Sequence, residues 1–315
     1  MNKYLKILSI AVPVLLFFAS WPAYSQIKTP TPLAVGYSIG ISRITAKAMD
    51  YAQSVGIDYV ETSINANIDQ NTLEFKYSDE QIIARIRKAK KALDDAGIEV
   101  WSIHMPYGKT IDISFPDDEA RRKVLALHKK VLQFCKILEP QVILFHPSWY
   151  LGLNEREIRK AKLIKSAVEL NKEVRRIGAI MVIENMLGPE LKAGANRERP
   201  LCRSVEETVE IMNKLPKTIY SAVDMNHIKN PEILIRAMGS RLKSVHIADG
   251  TGEQENHYLP CSGKGKNNWQ EILTALNEVG YKGPFIYESA HDDVKQLSVC
   301  YKELYQKRFL DANSR

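Results

Sequence analysis

Residues 219–246 read IYSAVDMNHIKNPEILIRAMGSRLKSVH and contain one complete step of a repeating plan. Residues 219–224 form a short Val/Ile-type run closed by an acid, Asp224. Pro231 stands at a first helical position with Asn230 before it as N-cap, and an amphipathic stretch runs on to Met238. Residues 242–246 form a second apolar run, closed by His246. Strand, helix and strand in so short a span make a βαβ unit with parallel strands.

The same alternation extends in both directions from Pro32 onward. Strand-like runs fall at 33–37, 59–62, 99–104, 141–146, 180–184 and 284–288, several with apolar residues on both faces, as a buried parallel sheet requires. Helical patterns fall at 44–55, 79–96, 117–138, 155–177, 204–215, 269–279 and 292–308. Gly97, Gly178 and Gly280 each stand after a helix and before a strand. Eight strand–helix units with no break in composition predict a single (β/α)8 TIM barrel over residues 26–315. A doubly wound sheet would need a glycine-rich first turn, and the segment from Gly36 to Gly40 does not fit that pattern.

Residues 1–25 stand apart. Lys3 and Lys6 precede an apolar run, and Ala23-Tyr24-Ser25 has the small-x-small form of a cleavage site, so the segment reads as a secretory signal peptide. The apolar run is shorter than the ~20 residues of a membrane span, and Trp21-Pro22 ends it. The mature chain is therefore expected to be exported, periplasmic or secreted, and free of the membrane after cleavage. The formal charge falls from +7 to +5 on removal of the two lysines. The basic stretches 85–91, 121–130 and 156–165 read as solvated helix faces, so nucleic acid is not the expected partner; a homo-oligomer is left open. Of the four cysteines, Cys135 and Cys300 fall in helices and Cys202 and Cys261 in loops, where export permits a Cys202–Cys261 disulfide.

In a (β/α)8 barrel the active site forms where the strands end. The predicted strands end in His104, His146, Glu184, Asp224, His246 and Glu288, each able to ligate a metal. Taken singly, a strand-end Glu is usually a solvated loop residue and a lone His a packing residue. Glu184, Asp224, His246 and Glu288, however, close four consecutive strands and would converge on the barrel axis. Three carboxylates around one imidazole repel one another unless a cation sits between them. That donor set suits Mn2+, Mg2+ or Co2+, and further His ligands would favour Zn2+. His227, three residues after Asp224, and His257, in the loop after the seventh strand, are within reach of the same pocket. Asp249 could orient His246, Glu255 lies beside His257, and Trp149 and Tyr150 offer flat faces to a sugar ring. Glu61 closes the second strand with a weaker claim. His128 and His291 read as structural.

The segments Ile183-Glu-Asn-Met186, Val223-Asp-Met-Asn-His227 and Val245-His-Ile-Ala-Asp249 resemble the xylose isomerase-like TIM-barrel superfamily, which includes sugar isomerases, sugar epimerases and endonuclease IV. The stretches 262–269 and 280–288 extend the match over nearly the whole mature chain. The resemblance to the ketose epimerases implies one divalent metal on Glu184, Asp224, His246 and Glu288. It also implies that Glu184 and Glu288 serve as the acid/base pair, with His227 on a substrate hydroxyl. His104, His146, His257 and Trp149 are the remaining substrate-binding candidates. The implied activity is a metal-dependent sugar isomerase, epimerase or related keto-sugar lyase that abstracts a proton next to a metal-polarised carbonyl of a small carbohydrate. Those epimerases carry an Arg shortly after the strand-seven His, and this chain has Asp249-Gly-Thr-Gly-Glu-Gln254 instead. The three-zinc ligand pattern of endonuclease IV can also be laid on His104, His146, Glu184, Asp224, His227, His246, Glu255, His257 and Glu288. A zinc phosphodiesterase and a non-catalytic sugar-binding barrel are therefore the alternatives.

Overall fold

The computed structural model describes residues 29–311. The expected signal peptide, and the first residues of the domain expected to follow it, lie outside them. The eight strands of the barrel are β1 (Val35–Gly40), β2 (Tyr59–Ser63), β3 (Glu99–His104), β4 (Val142–Phe145), β5 (Ile180–Glu184), β6 (Ile219–Asp224), β7 (Leu242–Ile247) and β8 (Phe285–Tyr287). Each pairs in parallel with its sequence neighbours, and β8 pairs with β1 to close the ring. The helices are α1 (Ala46–Ser54), α2 (Asp79–Ala96), α3 (Asp118–Cys135), α4 (Arg156–Arg176), α5 (Val205–Lys214), α6 (Pro231–Met238), α7 (Trp269–Glu278) and α8 (Lys295–Tyr305). The expected fold class is the observed one.

Local chemistry accounts for the helix ends. Ser78 and Gln81 form a reciprocal capping box at α2, and Asp117, Ser204 and Asn268 each accept an N–H from the first turn of α3, α5 and α7. Gly97, Gly178 and Gly280 all have positive φ, the conformation that turns a helix end back toward the next strand. Asn230 differs from expectation. Its side chain makes no cap bond, and its φ of 52° shows that it serves as a left-handed residue entering Pro231.

Two layers fill the molecule. Most buried apolar side chains lie in one cluster that runs around the barrel and includes the helix residues Leu93, Leu132 and Leu170. Inside the barrel, Val142, Leu144, Val182 and Ala222 form a separate, fully buried cluster. Val182 and Ala222 are two residues before Glu184 and Asp224, so the period of two puts those carboxylates on the same inward face, one layer higher. Gly36 lets β1 pack closely, because a Cβ there would meet the Ile286 side chain and come within 2.7 Å of the Tyr59 carbonyl.

Three further expectations need correction. The stretch 156–165 is not a solvated face: Arg159 and Lys160 are buried, Arg159 binds Asp112 at 3.0 Å, and Arg156 bridges Glu198 and Glu207. Arg121, in the second basic stretch, is buried against Ser166 as well. The disulfide joins Cys261 to Cys300, and Cys202 is a buried free thiol. Cys261 lies in a turn packed on α8, where Cys300 points back at it, whereas Cys202 is enclosed at the base of α5.

Candidate metal and carbohydrate site

At the mouth, Glu184, Asp224, His246 and Glu288 bring one ligand atom each within 4.8 Å of one another. β5 and β6 deliver the first two as their last residues. His246 is the penultimate residue of β7, and Glu288 follows β8 by one. His246 Nδ1 lies 2.7 Å from Glu184 Oε1 and 2.8 Å from Glu288 Oε2. The Glu184, Asp224 and His246 side chains are buried, while Glu288 is 29% exposed and faces the opening.

The electrostatics are those of unlike charges forced together. Burial alone would suppress charge at all four groups. At His246 the carboxylates of Glu61, Glu288 and Glu184 outweigh it and hold the imidazolium well above its usual range. At Glu184 burial is outweighed by His246 and His146, and at Glu288 by His246, which brings that carboxyl down to about 2. Asp224 is pushed up to about 6 by burial, with Glu184 and Glu288 adding to it against His227. Two carboxylate oxygens are orphaned. Glu184 Oε2 and Asp224 Oδ2 are buried and make no hydrogen bond. Two buried carboxylates, each with an oxygen left without a hydrogen bond, grouped with one imidazole and a third carboxylate are a donor set that a divalent cation takes up, so the residues fit a metal.

Two more groups flank this one. His104, His146 and Glu184 form the first, with His146 Nε2 3.2 Å from His104 Nε2 and 3.1 Å from Glu184 Oε2. Asp224, His227 and His257 form the second. Backbone carbonyls fix three of these rings. His104 Nδ1 donates to Met105 O at 3.1 Å, His227 Nδ1 to Asn185 O at 2.9 Å and His257 Nδ1 to Glu288 O at 2.7 Å. Each ring therefore turns its Nε2 away from the backbone, and those of His227 and His257 both lie 3.0 Å from Glu255 Oε2. Burial opposes charge on His257, but Glu255, Asp224 and Glu288 carry it up to about 9.

Asparagines hold these loops in place. Asn185 exchanges two hydrogen bonds with the Asp224 backbone, tying the ends of β5 and β6 together. Asn226 Oδ1 accepts the N–H groups of Asn256 and His257, which fixes the loop that carries His257 over the mouth.

Over the metal group lies a cavity of about 360 Å3. Trp149, Tyr150 and Tyr107 line it, together with His104, His146, His227 and His257. The Trp149 N–H donates to Asp112 Oδ2, which Arg159 holds from below. Tyr107 stacks on His146 with ring centres 4.1 Å apart.

All nine sequence candidates thus meet at one mouth. Sequence reasoning missed Tyr107, although it follows His104 by three residues, as His227 follows Asp224. It undervalued Glu61, which is fully buried and lies 3.0 Å from His246 Nε2. The expected role of Asp249 is overturned. Its carboxylate accepts from Gly250 N, Asn267 N and the Trp269 indole, and so pins a loop rather than His246. His128 and His291 lie outside the site, one buried in α3 and the other bonded to Ser289 O.

A parallel barrel with a ring of carboxylates and imidazoles at its mouth defines the class of this protein. The chain belongs to the xylose isomerase-like TIM barrel family, whose family model matches residues 49–305. It is 24% identical over 253 residues to a D-psicose 3-epimerase from Enterocloster bolteae, covering 77% of this chain and 75% of that protein. In structure it is similar to a D-tagatose 3-epimerase-like protein, with a TM-score of 0.69 at 18% identity, covering 90% of this chain and 99% of that one. A 3-keto-D-glucoside 4-epimerase from E. coli superposes with a TM-score of 0.64 at 16% identity, covering 86% and 98%.

Proposed function

We propose that the protein is an exported, metal-dependent isomerase or epimerase acting on an unphosphorylated carbohydrate, either a free sugar or an oxidised glycoside. The convergence of Glu184, Asp224, His246 and Glu288 beneath an aromatic-walled cavity carries this reading. Relatives that are epimerases of ketoses and keto-glycosides support it.

Glu184, Asp224, His246 and Glu288 would hold the cation. When bound, it would supply Lewis acidity toward a carbonyl or hydroxyl oxygen and so acidify the neighbouring C–H. The protein's own part is proton handling. Glu184 comes from β5 and Glu288 from β8, so the two carboxylates approach the metal group from different sides, as an acid/base pair needs. Trp149, Tyr150 and Tyr107 would take the sugar's apolar face, and the His104, His146, His227 and His257 edges its hydroxyls.

Among the described residues lining the cavity there is no Lys or Arg, the side chains best suited to holding a phosphate. Arg197 stacks on the outer Tyr150 ring at 4.4 Å but is not part of the lining. Export is supported by the Cys261–Cys300 disulfide, which persists in oxidising compartments. Among the described residues no helix is long and apolar enough to cross a membrane.

A zinc phosphodiesterase is the second reading, favoured by the two flanking ligand groups and disfavoured by the absence of Lys and Arg from the described cavity wall. One experiment separates them. The purified protein is stripped with EDTA, its metal content is measured, and ketoses and 3-keto-glycosides are incubated with it in D2O. We expect one ion per chain and metal-dependent deuterium uptake next to the carbonyl. Glu288→Gln should keep its metal and lose activity by a factor on the order of 10^2 or more, while His246→Ala should lose its metal. Three zinc ions per chain, or no exchange on any substrate with the metal restored, would overturn the sugar reading.

A further inference from the structure

We infer that Glu61 is a positioning residue for the metal group, setting which nitrogen of His246 faces the cation. This rests on the metal reading above and adds to it a residue that never touches metal or substrate.

Glu61 belongs to β2 and His246 to β7, with β1 and β8 standing between them in the ring, so the contact crosses the barrel interior. Glu61 Oε2 lies 3.0 Å from His246 Nε2 and accepts a second bond from Ser102 Oγ at 2.7 Å. All three residues have no exposed surface, so no ligand entering the mouth reaches Glu61. The opposite nitrogen, Nδ1, faces Glu184 and Glu288.

A carboxylate can only accept from Nε2. That keeps the proton of a neutral imidazole on Nε2 and leaves the Nδ1 lone pair directed into the ligand group. The same bond fixes the ring plane and strengthens Nδ1 as a donor, as carboxylate partners of metal-bound histidines do. Folding alone does not account for Glu61. Its Oε1 is buried without a hydrogen bond, so the side chain is only half satisfied where an apolar residue would fit the interior better. The arrangement becomes intelligible if the bond to His246 is its purpose.

The test is a Mn2+ and Co2+ titration of EDTA-stripped protein, with melting curves recorded with and without metal. Glu61→Gln keeps shape and a carbonyl acceptor but removes charge, and we expect about 10-fold weaker binding; Glu61→Ala should lose about 100-fold. In both, the rise in melting temperature on adding metal should shrink. A merely structural role would lower the metal-free and metal-bound melting temperatures together and leave the affinity unchanged, which would overturn the inference. Should Glu61→Ala fail to fold, Glu61→Gln decides alone, and wild-type affinity there is the overturning result. If wild-type protein binds neither ion, the metal reading itself fails and this inference with it. Unchanged affinity in Glu61→Gln beside a metal-binding wild type sinks only the role of Glu61.

Discussion

His128 sits in α3 with both ring nitrogens buried and unbonded, edge-on to Phe145 at 5.3 Å. Burial alone holds its imidazole down to about 3, against 6.5 in a free chain. Between those values the unfolded chain carries the proton and the folded protein does not. Stability is therefore fully present above pH 6.5 and drains away as pH falls toward 3, by about 1.4 kcal/mol per pH unit from this group alone. Replacing it with Leu removes the titration. The stability of His128→Leu measured by urea unfolding should gain on the wild type steadily as pH falls from 6.5 to 4, and a difference that stays constant across that range would refute the assignment. His227, His246 and His257 behave in the opposite sense, because carboxylates surround them and raise them, whereas burial lowers His146 as it lowers His128. Sequence places His128 in a helix and His257 in a loop, but only packing reveals that both ring nitrogens of His128 lack a partner.

At the scale of elements, the loop between β7 and α7 carries Glu255 and His257 to the mouth. Gly250, Gly252 and Gly265 are spacers with identifiable neighbours. A Cβ on Gly265 would run into the Asp249 carboxylate, which gathers the Gly250 and Asn267 backbone N–H groups and the Trp269 indole. Gly265→Ala should therefore cost about 1–3 kcal/mol in unfolding free energy. Asp249→Ala acts on the same set of bonds, so the double variant should cost less than the sum of the two. Strict additivity in denaturant unfolding would show that Asp249 and Gly265 do not act together.

This loop also marks where legibility in the sequence ends. β3, β5 and β6 and helices α2 and α6 lie where period and punctuation put them, because hydrophobic alternation and capping are local signals. The small hairpin Ile68–Asp69 with Glu74–Phe75 was invisible, its strands being too short to show a period. α8 begins at Lys295 rather than 292. The ligand ring was readable because barrel topology converts a strand-end position into a place in space. The Asp249 cradle, the Glu61 bond across the barrel and the Cys261–Cys300 pairing were not. Each depends on side chains from elements far apart in sequence, and no local pattern encodes that.

Across the whole molecule, the disulfide joins the site to the closure of the barrel. Cys261 belongs to the loop that carries Glu255 and His257 over the mouth, and Cys300 lies in α8, the helix that follows β8. The bridge spans a sequence separation of 39 residues. Closing a loop of that length removes enough freedom from the unfolded chain to stabilise the fold by about 4 kcal/mol. A domain has only about 5–15 kcal/mol in total, so the same chain should be markedly weaker in a reducing compartment than in an oxidising one. That gives the export reading a physical consequence. The chain lacking residues 1–25, purified with the bridge closed, should lose several degrees of melting temperature on full reduction, and Cys300→Ser should match the reduced protein. His257 should lose part of its hold on Glu255 in both, because the loop then loses its one covalent tie and is held by hydrogen bonds such as those to Asn226 and Glu288. Equal melting temperatures for the reduced and oxidised forms would mean that the bridge contributes nothing to the fold and would leave the oxidising compartment without structural support.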